Sequence, residues 1–221
     1  GAVDETSNSH STLRSYPAGS FSPSWTHVVA VGSRILWYNS ANGSGAIGAV
    51  DETSNSHSTL RSYPAGSFSP SWTHVVAVGG RRILWYNSAN GSGAIGYINP
   101  EYSHVTLRSY PAGAFSTNWT HIVFAGKAPS RILWYNSANG SGAIGTIDET
   151  SNSHVTLRSY PAGAFSSHWT HVVNSWGRIL WYNSANGSGA IGTVDASKGH
   201  VTLRSYPAGA FSTNWTHIAA M

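Results

Sequence analysis

The chain contains no cysteine, which excludes disulfide staples and thiolate metal sites at the outset. Charge is scarce as well, since Asp, Glu, Lys and Arg make up only 9% of its 221 residues. The formal charge of +4 comes from arginines spaced along the chain, not from a cluster. A nucleic-acid footprint needs a concentrated basic stripe, so no nucleic-acid partner is expected. No apolar run approaches the roughly 18 residues of a membrane span, so none is expected. The amino terminus has no basic region followed by an apolar core, and no signal peptide is expected in this sequence. Helical periodicity is missing throughout.

What the chain does have is repetition. One block of about 47 residues recurs almost verbatim four and two-thirds times. The tryptophans of a Trp-Thr-His triplet fall at 25, 72, 119, 169 and 215, at spacings of 47, 47, 50 and 46 residues. Such a period marks a solenoid, propeller or array, whose units bury their apolar faces against their neighbours. Aromatics at 12%, with plentiful Gly, Ser and Asn, suit pleated strands joined by polar turns.

Residues 25–71, 72–118, 119–168 and 169–214 form the units, and each reads as four short strands. In the first, Trp25 to Val31 is a β-branched strand and Arg34 to Asn39 is an apolar one. Ser40 to Gly45, with its Asn-Gly pair, is a hairpin turn. Ala46 to Val50 is a third strand, Asp51 to His57 a polar loop, and Ser58 to Tyr63 a fourth strand that stops at Pro64. This is the pattern of a propeller blade. A β-solenoid is the rival, but its repeats are shorter and lack such a hairpin. If Asn39 pairs with Ala46, then Arg34 faces Asp51, and Arg131–Asp148 and Arg178–Asp195 repeat that cross-strand ion pair, whereas Arg82 faces Asn99.

Residues 1–24 supply a third and a fourth strand, and 215–221 supply one more first strand. The expected count is 19 strands, one short of five complete blades. The expectation is therefore a single all-β domain over 1–221. It is a five-bladed β-propeller of four-stranded antiparallel blades, its ring closed by both termini in one incomplete blade. A homo-oligomer through that incomplete blade is the partner this implies.

At Ile35-Leu36-Trp37-Tyr38-Asn39 and Trp25-Thr26-His27 the repeat resembles the VCBS or FG-GAP class of bacterial extracellular propeller repeats. The resemblance runs through every unit and implies an extracellular binding module, as in lectin-like propellers. One departure is large. Such repeats carry an Asp-rich calcium loop after the first strand, and here those segments are Val31-Gly32-Ser33, Val78 to Arg81, Ala125 to Ser130 and Asn174 to Gly177. None holds a carboxylate, and calcium takes six to eight oxygens, so no metal or other cofactor is expected. The near-identity of the blades fits recent amplification of one natural blade or laboratory construction, and the latter is favoured because natural repeats drift.

Two histidine series recur. His27, His74, His121, His171 and His217 lie on first strands, where a hydrogen bond to a neighbouring loop is favoured over a metal or anion ring. His10, His57, His104, His154 and His200 open the fourth strands as loop-packing residues. No carboxylate accompanies these histidines at a fixed distance in every unit, so none has a partner for nucleophile activation. The acids of Asp4-Glu5, Asp51-Glu52 and Asp148-Glu149 are adjacent in a polar loop, on opposite sides of the chain, with Arg as the expected partner of Asp, so an enzyme is not expected.

The better clue is one face of the propeller, where the turns after strands two and four gather. It would collect Asn39, Asn42, Tyr63 and Trp72, and their copies Asn87, Asn90, Tyr110 and Trp119. The later copies are Asn136, Asn139, Tyr160 and Trp169, then Asn183, Asn186, Tyr206 and Trp215. Aromatic planes beside amides and hydroxyls suit sugars, and the expected function is a multivalent, lectin-like module with one weak glycan site per blade. The competing readings are that these residues serve tight turns and blade packing, and that the chain is a symmetric scaffold without a dedicated ligand. Asn42-Gly43-Ser44 and Asn118-Trp119-Thr120 also match glycosylation acceptors.

Overall fold

A computed structural model of the chain describes residues 2–4, 9–126 and 130–218, with side chains from residue 11 onward. The carboxylates of Asp4 and Glu5, the His10 side chain, the turn at Lys127, Ala128 and Pro129, and the strand end at Ala219 and Ala220 lie outside the described residues.

The strands are β1 (Ala2–Asp4), β2 (Ser9–Ser11), β3 (His27–Val31), β4 (Arg34–Asn39), β5 (Ser44–Asp51) and β6 (Ser56–Tyr63). Next come β7 (His74–Ala77), β8 (Arg82–Asn87), β9 (Ser92–Ile98), β10 (His104–Tyr110), β11 (His121–Phe124) and β12 (Arg131–Asn136). The last are β13 (Ser141–Ile147), β14 (His154–Tyr160), β15 (His171–Ser175), β16 (Arg178–Asn183), β17 (Ser188–Val194) and β18 (His200–Tyr206). Consecutive strands from β3 onward form four antiparallel sheets of four, the blades of a β-propeller fold. Among the described residues no helix is long and apolar enough to cross a membrane.

The expectation of five blades is corrected: among the described residues there are four four-stranded blades, and β1 and β2 form a two-stranded sheet of their own. The expected fourth strand, Ser11 to Tyr16, is replaced by a short one over Ser9–Ser11, and residues 215–218 form no strand. The reason is physical. In every four-stranded blade the Arg-Ile-Leu-Trp-Tyr-Asn strand carries the most buried side chains and pairs with both the first and the third strand. The sequence holds four copies of it and no fifth, and each of the four lies in a blade of its own, so none is left over for β1 and β2 or for residues 215–218. The expected closure by both termini in one blade falls with the fifth blade.

The chain divides into two compact units, Gly1–Ser71 with Ile98–His104, and Trp72–Tyr97 with Val105–Met221. In the first, Trp37, Tyr38, Leu36 and Ile47 are buried at the centre of the blade β3 to β6. In the second, the central strands β8 and β12 each pack against the next blade. Leu84 and Tyr86 of β8 share a core with Phe115, Ile132 and Trp134, and Leu133 and Tyr135 of β12 share one with Ile179 and Trp181.

Turn chemistry sets the register. Asn39 pairs with Ser44, not with Ala46, and Arg131 pairs with Thr146. Arg82 likewise pairs with Tyr97 rather than Asn99. The expected Arg–Asp pairs across β4–β5, β12–β13 and β16–β17 are therefore displaced by two positions. The Gly43 N–H closes the turn on the Asn39 carbonyl at 2.9 Å, with Gly43 at φ +72°. Asn42 does not share that conformation, so only the glycine half of the Asn-Gly signal uses positive φ.

Gly140 occupies the same place with φ +71°, and its missing side chain lets the Phe165 N–H reach the Gly140 carbonyl at 2.9 Å. A Cβ there would collide with the Phe165 carbonyl. Gly140→Ala is expected to cost at least about 2 kcal/mol, combining backbone strain with that clash. Chemical denaturation of the variant beside the parent chain measures it.

Candidate functional site

The sixteen residues singled out by the sequence divide by burial. Asn39, Asn87, Asn136 and Asn183 are buried. Each turns its Oδ1 inward to accept the N–H two residues on, as Asn136 does from Ala138 at 2.8 Å and Asn39 from Ala41 at 2.8 Å. These four build turns. Asn42, Asn90, Asn139 and Asn186 are exposed, and each accepts the N–H of the serine two residues on at 2.9 Å.

The tyrosines are half-buried and join successive repeats. The Tyr110 hydroxyl accepts the His154 N–H at 2.6 Å, the Tyr160 hydroxyl accepts that of His200 at 2.6 Å, and the Tyr63 hydroxyl accepts that of His104 at 2.7 Å. Tyr206 lies against Phe211 and beneath Arg204. Trp72, Trp119 and Trp169 rest on the central tryptophans Trp85, Trp134 and Trp181, with ring centroids 6.1–6.3 Å apart. Trp215 is exposed and touches Tyr182 and Phe211.

Two depressions of the second unit use these residues. The more open one, about 670 Å³, brings Trp119, Asn136 and Asn139 together with Asn118, Thr117 and His74. The other recurs at two successive blade junctions. At the first, about 310 Å³ is lined by Phe115, Ser116, Trp119, Trp134, His154 and Thr156, with Ser159 and Tyr160 at its margin. At the second, about 330 Å³ is lined by the same positions one repeat on, among them Phe165, Ser166, Trp169, Trp181, His200 and Thr202.

Each wall of the recurring pocket has a cause in the sequence. Trp134 alternates with Leu133 and Tyr135 on β12 and so faces the preceding blade, where Phe115 stacks on it at 5.2 Å. Tyr135 faces the following blade, and its hydroxyl donates to the Ser166 carbonyl at 2.6 Å, fixing the segment that forms the next pocket's wall. Tyr86 does the same for Ser116. Burial raises the phenol pKa of Tyr86 and of Tyr135 above the ordinary tyrosine value.

The histidines at these pockets were read from the sequence as loop packing, and their partner was missed. The Trp134 indole Nε1 donates to His154 Nε2 at 3.2 Å, and that of Trp181 donates to His200 Nε2 at 3.1 Å. An indole nitrogen only donates, so each imidazole carries its proton on Nδ1 and is neutral. Desolvation by burial lowers the pKa of His154 to about 4 and pushes that of His200 down as well. Gly145 and Gly192 make the contact possible, because a Cβ on either would meet the histidine ring. The only signal in the sequence was the tryptophan-to-histidine separation of 20 and 19 residues, visible once the hairpin register is known.

The first-strand histidines follow the favoured expectation of a bond to a neighbouring loop. His74, His121 and His171 each reach the threonine carbonyl of the next Trp-Thr-His triplet through Nε2, at 3.1–3.2 Å. Among the described residues no group of His, Asp or Glu is arranged to hold a metal ion. The carboxyls of Asp51 and Asp148 sit below their ordinary range because the backbone and hydroxyl of Ser54 and Ser151 donate to them. That is the reverse of the raised value a general acid needs.

No protein-family model matches the chain, and no curated protein matches it. Among solved structures it is similar to a Lactobacillus plantarum protein, with a TM-score of 0.50 and 12% identity over 81% of this chain and 54% of that one. It is also similar to the periplasmic gluconolactonase PpgL of Pseudomonas aeruginosa, with a TM-score of 0.49 and 14% identity over 84% of this chain and 55% of the other. Virginiamycin B lyase from Staphylococcus aureus gives a TM-score of 0.44 and 14% identity, covering 80% of this chain and 54% of the other. At such identities the likeness is one of fold. The chain spans about half the length of each of these three structures.

Proposed function

We propose that the chain is a non-enzymatic, multivalent carbohydrate-binding module that takes one sugar in each blade-junction pocket. The observation that carries this reading is recurrence: the same aromatic and hydroxyl-bearing positions line a pocket of nearly equal size at two successive junctions. Trp119 and Trp169 offer indole surface to the apolar face of a pyranose. Ser116, Thr156 and Ser159, with Ser166, Thr202 and Ser205 one repeat on, can donate to and accept from ring hydroxyls. Weak identical sites gain ~10²–10⁴ in avidity on a surface that presents many sugars.

A multivalent glycan array tests the proposal, with Trp119→Ala/Trp169→Ala as the pocket variant. Loss of array binding by roughly tenfold or more, with the far-UV spectrum retained, is the expected result. The fourfold variant Asn42→Ala, Asn90→Ala, Asn139→Ala, Asn186→Ala is expected to keep most of the binding. If it instead abolishes binding, the sugar sits at the asparagine turns. A symmetric scaffold without a dedicated ligand predicts an array silent at every spot.

A further inference from the structure

The histidine in each pocket is held in one protonation state by its partner. Trp134 Nε1 and Trp181 Nε1 have a hydrogen to give and no lone pair to offer, so His154 Nε2 and His200 Nε2 must stay unprotonated for the bond to exist. Protonation would set N–H against N–H at that separation. The surroundings provide nothing to compensate. Tyr160 lines both pockets and Tyr110 accepts the His154 backbone N–H, while no carboxylate lines either one. Of the charged groups on the packed elements, Arg131 at the start of β12 is a cation whose Nη1 is buried without a hydrogen-bond partner, so it offers an imidazolium no stabilisation. Arg108 reaches the Ser151 carbonyl, Arg158 stacks on Tyr160 close to Asp195, and Asp148 and Asp195 accept bonds from their own loops.

We infer that the two blade-junction pockets are acid-gated, the His154–Trp134 and His200–Trp181 bonds acting as latches that keep the pocket walls in place only while the imidazoles are neutral. The inference rests on the carbohydrate reading for its consequence: bound sugar is released as the medium acidifies. The latch itself is a property of the chain alone. On protonation the imidazolium turns away from the indole toward water, Trp134 and Trp181 lose the acceptor for their N–H, and the stacks of Phe115 on Trp134 and of Phe165 on Trp181 loosen with them. Burial lowers the pKa of His154 to about 4 and pushes that of His200 below the ordinary histidine value, so both protonate in more acidic solution than an exposed histidine does.

The test follows the indole signals of the full chain, labelled with ¹⁵N in tryptophan, from about pH 7.5 to about pH 3. The comparison is His154→Gln/His200→Gln, in which an amide oxygen still accepts the indole proton but does not titrate. In parallel, both proteins are passed over beads bearing a panel of simple monosaccharides at the same pH values.

In the parent chain the Trp134 and Trp181 signals are expected to move together and lose exchange protection on acidification. Bead retention is expected to drop roughly tenfold across the same titration, about what a loss of 1.4 kcal/mol gives. In the double variant neither the signals nor retention should depend on pH. Indole signals that stay fixed to about pH 3 in the parent, or that move equally in the variant, overturn the latch. Titrating signals with no sugar retained at any pH keep the latch and remove the carbohydrate reading. Unchanged retention with fixed signals removes the latch and keeps that reading.

Discussion

Trp134→Ala is expected to destabilise the chain by about 3–5 kcal/mol, while Trp176→Ala changes stability by less than about 0.5 kcal/mol. The two residues are chemically identical and differ in what surrounds them. Trp134 is 1% exposed at the junction of two blades, touching Phe115, Trp119, Tyr86 and His154. Removing it leaves a cavity of indole size and strips His154 of its hydrogen-bond donor. Trp176 is 79% exposed at the tip of the β15–β16 turn, with φ +50°. Its loss removes no core contact, and alanine keeps the same left-handed backbone at the same cost, so little changes. Denaturant midpoints for the two variants and the parent measure the contrast, and for a chain of this size the Trp134 variant should melt on the order of 10 °C lower.

The second large effect is on stability against pH. His104 and His154 both have pKa values lowered to about 4 by burial, against an ordinary value of 6.5. The folded state therefore binds fewer protons than the unfolded chain between those limits. The stabilisation from keeping each histidine neutral is fully present above pH 6.5, fades as the pH falls toward about 4, and changes little below that. Each contributes on the order of 3 kcal/mol across that window. Urea denaturation at a series of pH values is expected to show a steep loss there. In His154→Gln the slope should shrink by the share of one histidine. A flat profile from neutral pH to about pH 4.5 would mean that these rings are already solvated in the native state.

Much of the strand pattern was readable because the chain repeats it. The limits of β4, Arg34–Asn39, coincide with the expected apolar strand, and β6 starts only two residues early at Ser56. Register was not readable, because it depends on a turn in which Gly43 alone adopts positive φ and Asn39 closes the loop on itself. That two-residue displacement is what separates Arg34 from Asp51. The blade count failed for a different reason. Counting strand-like segments treats each as able to find a partner, whereas Ser9–Ser11 and residues 215–218 have no copy of the apolar second strand to lie against.

The candidate site was half legible. The repeated Trp119 and Trp169 pointed to aromatic surface at each blade, and both line the pockets. Asn39 and its copies were misleading, because an asparagine whose carbonyl caps its own turn resembles a ligand-reading amide in sequence. His154 was invisible as a partner of Trp134 because the contact crosses β13 at an irregularity between Ile144 and Gly145. Only the folded register puts the missing Cβ of Gly145 beneath the imidazole.

Crystals of the full chain soaked with a pool of simple monosaccharides give the most direct test of where a sugar binds. Sugar density lying against Trp119 at one junction and against Trp169 at the next, within reach of Thr156 and Thr202, is the predicted result. Density at the Asn42 and Asn139 turns, or both junction pockets empty of sugar under saturating soaks, would contradict it.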